Sequence, residues 1–76
     1  MTLDELADGQ AGSVRAVGGA GAFRRRLLEL GLVPGTTVQR VGAAPLGDPV
    51  RYRVRETVVT LRHADAALIE LAEAAR

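Results

Sequence analysis

Two apolar rhythms divide this chain of 76 residues. Between residues 50 and 61 the period is two: Val50, Tyr52 and Val54 are followed, past Arg55-Glu56, by Thr57, Val59 and Leu61. Side chains alternate faces along a strand, so the pattern predicts a hairpin with Arg55 and Glu56 as its loop. Val54 then faces Thr57, Tyr52 faces Val59 and Val50 faces Leu61, while Arg51 and Arg53 share the opposite face with Val58 and Thr60. A slip of one residue would bury the arginines, which pins the register. The loop is the weak point, because two-residue hairpin loops favour Asn-Gly or Gly-Gly and Arg-Glu implies strain or another turn geometry.

The second rhythm is helical. Phe23, Leu27 and Leu30 stand at i, i+4 and i+7, a single stripe on a helix expected over Ala22–Leu30 and expected to close the core. Gly31 follows where a residue without Cβ takes the left-handed C-terminal position at no steric cost. Val33-Pro34-Gly35-Thr36 reads as a type II turn, with proline at its second position and glycine at its third. Arg24, Arg25 and Arg26 crowd the first turns, where the helix dipole disfavours cations. Glu29 eases Arg25 and Arg26 from i+4 and i+3, and the remaining charge marks a solvated face or an anionic partner surface.

Shorter signals fill the rest. Thr2-Leu3-Asp4-Glu5 has the form of a capping box opening a single helical turn. Gly12–Val17 alternates as a first strand, with Val14 and Ala16 on one face. Thr36–Val41 is a second strand in which Val38 and Val41, three apart, require a bulge or bend to share a face. Ala44–Pro49 holds two prolines and a glycine and forms a loop. His63–Ala72 is open between a helix, favoured by its alanines, and a short turn followed by a strand.

Composition narrows the function. The chain has no cysteine, one serine and one histidine, so disulfides and thiolate metal sites are excluded and Ser13 with His63 would be the only hydrolytic pair. His63 and Asp65 would need Glu70 or another acid to hold a metal, no paired carboxylates stand at catalytic spacing, and neither an enzyme, a cofactor nor a metal site is expected. All ten basic residues are arginine, so Gly18-Gly19-Ala20-Gly21 lacks the lysine of a phosphate-binding loop. Net charge is +1 and Phe23 and Tyr52 are the only aromatics, a poor base-stacking inventory even with Arg51, Arg53 and Arg55 on one strand face; no nucleic acid is expected. No apolar run approaches the ~20 residues of a membrane span, and the first residues lack the pattern of a signal peptide, which reads as a cytoplasmic protein not embedded in the membrane.

Arg26-Leu27-Leu28-Glu29-Leu30-Gly31-Leu32-Val33-Pro34-Gly35, the Ala44–Pro49 loop, Leu61-Arg62 and Ala67-Leu68-Ile69-Glu70 together resemble the ferrous iron transport protein A (FeoA) family from about Leu3 to Ala72. The resemblance implies one domain over 1–76, mainly β with one short helix, folded as a small five-stranded SH3-like barrel with the helix over one end. It also implies a turn near Ala64–Ala67 and a strand at Leu68–Leu71. One departure is the hairpin loop, where many relatives carry glycine.

Family members are cytoplasmic accessories of the ferrous iron transporter FeoB, which bears a GTPase domain. The resemblance thus implies a non-enzymatic module that docks on that transporter, with Leu27, Leu28 and Leu32 as apolar anchors, Arg24 and Arg25 as polar rim, and Pro45 and Leu46 as a second edge. For Leu27 the core is the stronger assignment. An arginine such as Arg24 or Arg25 acting on GTP hydrolysis is a further reading. The alternative is an SH3-like regulatory domain related to the C-terminal domain of iron-dependent repressors, which also carry a separate DNA-reading domain.

Overall fold

A computed structural model of the chain describes residues 1–72; the last four residues of the expected 1–76 domain lie outside them. A 3₁₀ turn at Leu3–Glu5 leads into strand β1 (Ala11–Val17), helix α1 (Gly21–Glu29), and strands β2 (Thr37–Ala43), β3 (Val50–Val54) and β4 (Thr57–Leu61). The single-turn helix α2 (His63–Ala66) and strand β5 (Ile69–Leu71) follow, so the last segment is a turn and a strand rather than one helix. The five strands form one antiparallel sheet in the order β4-β3-β2-β1-β5.

β1 carries the corner of this sheet. Its first half, Ala11–Ser13, pairs with β2, and its second half, Val14–Val17, pairs with β5 across a bulge between Val14 and Ala16. The bulge inserts one residue, so Val14 and Val17 both turn inward and Ala16 is exposed, contrary to the simple alternation expected. β2 bulges between Arg40 and Gly42, where the spacing of Val38 and Val41 demanded it. The result differs from the expected one: Val38 is fully buried, while Val41 is the extra residue and stays exposed.

The hairpin has the register of the alternating pattern, from Val54 opposite Thr57 to Val50 opposite Leu61. Of its two loop residues only Arg55 takes a positive φ, at 58°, the left-handed region that a residue bearing a Cβ enters at a cost. Val50, Tyr52, Val54, Val59 and Leu61 all enter the core. Tyr52 is fully buried, and its hydroxyl has no hydrogen-bond partner among the described residues. Burial pushes its phenol above the ordinary value, with Arg40 pulling the other way.

The expected SH3-like barrel is not closed. β4 and β5 are the two ends of the sheet and do not pair with each other. The chain between them is occupied by α2, which packs against the N-terminal 3₁₀ turn and buries Ala66 beside Leu3 and Leu6 in one core.

Candidate docking surface

The exit of α1 decides which of its leucines face solvent. Gly31, with φ at 101°, places its own N–H on the Leu28 carbonyl at 3.0 Å and lets the Leu32 N–H reach the Leu27 carbonyl at 3.3 Å. These are the two bonds of a Schellman motif, whose companion is an apolar contact between the residue two past the helix and the residue three before its cap. Here those residues are Leu32 and Leu27, 0% and 2% exposed. Both are core, as the stronger assignment for Leu27 had it and contrary to the anchor role expected of Leu32, which is withdrawn from any surface by the same cap that the glycine announced. The turn that follows has the expected bond, Thr36 N–H to the Val33 carbonyl at 3.0 Å, with Gly35 at φ 94°.

Leu28 remains half-buried against the core. The stripe expected to close the core does so only through Leu27, because Phe23 and Leu30 are each 37% exposed. The Phe23 ring and the Leu68 side chain approach the same side of Gly19, where an added Cβ would come within 3.1 Å of Phe23 and 3.7 Å of Leu68. Beyond Leu68 a groove of about 370 Å³ runs along Val17, Gly18 and Ala67 to Met1. Leu30, Phe23, Leu68 and Met1 thus trace a half-exposed apolar band from α1 to the β5 end of the sheet. Sequence reasoning missed it, although the Gly18-Gly19 pair was the available signal: glycine is what allows a ring to lie directly on backbone.

The arginines divide by role. Arg24 Nε donates to the Val17 carbonyl at 3.0 Å and so ties α1 to the end of β1. Arg25 and Arg26 are exposed, and among the described residues no ion pair joins either to Glu29. Arg26 lines the slot shared by Phe23 and Leu30, beside the band.

The Ala44–Pro49 loop projects on hydrogen bonds of its own. Gly47 N–H donates to the Ala44 carbonyl at 2.7 Å, Ala44 N–H to the Pro49 carbonyl at 2.9 Å, and the loop is fastened to α2 through His63. Its tip presents exposed Pro45 and Leu46, the latter 96% exposed. α2 also borders α1, since Asp65 lines a slot of about 70 Å³ with Phe23, Leu27 and Leu30. The loop tip and the apolar band are therefore carried on neighbouring elements. No group of three or more His, Asp or Glu side chains gathers as metal ligands among the described residues, and no helix there is long and apolar enough to cross a membrane.

Comparison with known proteins gives a consistent picture. The FeoA domain model matches residues 1–73. A fusion of Fe(2+) transport protein A with Fe(2+) transporter FeoB from Porphyromonas gingivalis is 48% identical over 71 residues, which cover 93% of this chain and 8% of that protein. Among solved structures, iron(II) transport protein A from Clostridium thermocellum superposes with a TM-score of 0.88 at 34% identity, covering 93% of this chain and 44% of the other. FeoA from Stenotrophomonas maltophilia complexed with zinc, described as a procaryotic SH3 domain protein, superposes at 0.84 and 34%, covering 95% and 89%. A manganese-dependent transcriptional repressor matches at 0.78 with 17% identity, a likeness of fold alone.

Proposed function

The chain belongs to the FeoA domain family, and from that premise we propose that it is a non-enzymatic cytoplasmic accessory of ferrous iron uptake that docks on a FeoB-type transporter. One observation carries this reading. In the Porphyromonas gingivalis protein the region similar to this chain is joined to an Fe(2+) transporter in one polypeptide, which keeps the two permanently together. Without that covalent linkage, the same association takes a docking surface.

The apolar band and the loop tip supply such a surface. Phe23, Leu30, Leu68 and Leu46 are large apolar side chains that folding leaves exposed, Leu28 is half-buried against the core on the same helix, and Arg26 supplies a charge beside Phe23 and Leu30. Apolar anchors within a polar rim are the anatomy of a docking site. NMR titration of the labelled chain with the isolated cytoplasmic region of the transporter tests this. Shifts at Phe23, Leu28, Leu30 and Leu46 are expected, and an unchanged spectrum at high concentration overturns the proposal.

A further inference from the structure

The sheet stops abruptly at β4, and its two ends are treated differently. At the β5 end, Thr2 bridges Glu70 and the Leu71 N–H donates to the Met1 carbonyl at 2.8 Å, so the N-terminal residues cover the rim. At the β4 end, among the described residues, no backbone hydrogen bond reaches the side away from β3. With a two-residue loop, the pairs Val54–Thr57, Tyr52–Val59 and Val50–Leu61 are those that exchange backbone hydrogen bonds. The N–H and C=O groups of Val58 and Thr60 therefore point away from the sheet, and the Val58 side chain is 46% exposed. These are the donors and acceptors a further strand would take.

The surroundings say what kind of strand. On the core side of the rim lies a slot of about 70 Å³ in which Phe23, Leu30 and Leu61 are joined by Arg26, Thr60 and Asp65. On the outer face Arg53 stands opposite Val58 and Arg51 opposite Thr60, and both are exposed. Residues 50–62 contain four arginines and a single acid, and none of the four is in an ion pair among the described residues. An added strand would lie about 10 Å from β3 with β4 between; the Arg51 guanidinium rests beside Gly42 and Arg53 borders the groove of Thr37 and Gln39, so both exposed side chains swing over β4 to meet its glutamates. A second copy fits poorly, because β4 laid on β4 gathers the Arg51 and Arg53 of both copies on one face.

We propose that β4 accepts an extended segment of a partner protein in which apolar and acidic side chains alternate. Its backbone pairs with Val58 and Thr60, one apolar side chain enters the slot beside α1, and its acidic ones lie over the outer face, where Arg51 and Arg53 reach them. Strand addition of this kind takes affinity from main-chain bonds and specificity from alternate side chains. It stands on the rim of the sheet, whichever protein carries the segment, and does not depend on docking to an iron transporter.

The test is NMR titration with a heptapeptide alternating valine and glutamate. Binding with Kd in the ~0.1–1 mM range is expected, with shifts centred on the Val58 and Thr60 amides and slowed exchange at both. A peptide with lysine in place of glutamate should bind at least about tenfold more weakly, as should Arg53→Glu, a difference of ~1.4 kcal/mol. Val58→Pro deletes an outward N–H while sparing the bonds to β3, a replacement that edge strands tolerate, and should abolish the Thr60 shift. Retained contact between Tyr52 and Val59 reports that each variant is folded; if Val58→Pro fails this check, Arg53→Glu decides. Equal binding of the lysine peptide, undiminished binding by folded variants, shifts confined to other strands, or self-association centred on Val58 and Thr60 each overturns the proposal.

Discussion

His63 holds the Gly47 carbonyl. Its Nε2 lies 3.1 Å from that oxygen, and because a carbonyl can only accept, Nε2 carries the proton; the His63 backbone N–H meanwhile donates to Asp48 Oδ1 at 2.9 Å. A loop with an almost fully exposed leucine at its tip is thereby fixed to α2. His63→Ala should cost about 1 kcal/mol, the net worth of one hydrogen bond, and accelerate amide exchange at Gly47. Unchanged exchange would show that the loop holds itself.

Arg24 and Arg25 are neighbours with opposite expectations. Arg24→Ala removes the bond to the Val17 carbonyl and should lower stability by roughly 1 kcal/mol in denaturant unfolding. Arg25→Ala should leave stability within ~0.5 kcal/mol and weaken transporter docking instead. Equal effects of the two on stability would refute the division.

Leu32 and Leu46 provide a sharper contrast. Leu32 is 0% exposed and Leu46 96%. Leu32→Ala should cost ~2–5 kcal/mol through lost burial and a cavity, enough to unfold much of so small a domain. Leu46→Ala should not move the unfolding midpoint, and its effect should appear only in binding.

Tyr52 makes stability pH-dependent at the alkaline end. Its folded-state value is raised above the ordinary 10.0 by burial, so the folded state keeps the phenol proton longer than the unfolded state does. Its contribution is intact below pH 10.0 and is lost as pH climbs from there through the folded-state value. Tyr52→Phe removes a buried hydroxyl that has no partner, so urea melts at neutral pH should show a neutral or stabilising change, with a flatter decline in alkali. A loss of several kcal/mol at neutral pH would mean that the hydroxyl is satisfied.

Arg55 occupies the left-handed region at φ 58°. Arg55→Gly relieves a conformational cost of ~1–2 kcal/mol, offset in part by the greater freedom of glycine in the unfolded chain. A net gain of about 0.5–1 kcal/mol is expected in thermal or chemical unfolding, and a loss would place another turn geometry in the loop.

The sequence by itself determined whatever rests on neighbours along the chain. The β3–β4 register was legible because period two admits one arrangement that keeps Arg51 and Arg53 out of the core. The helix stop at Gly31 and the Pro34-Gly35 turn were legible because backbone sterics are local. Tertiary structure decided what local rules leave open. Val14 and Val17 share a face only because β1 changes partner from β2 to β5 at a bulge, and Val41 is exposed because the β2 bulge sets it aside. Leu32 went to the core and Phe23 and Leu30 did not, because the depth to which a helix sinks depends on the elements beneath it and not on its own stripe. The open rim at β4 belongs to the same class. Four strands were readable from the chain's own pattern and the fifth only through the family resemblance, while closure is a relation between the first and last edges of a sheet that no local pattern states.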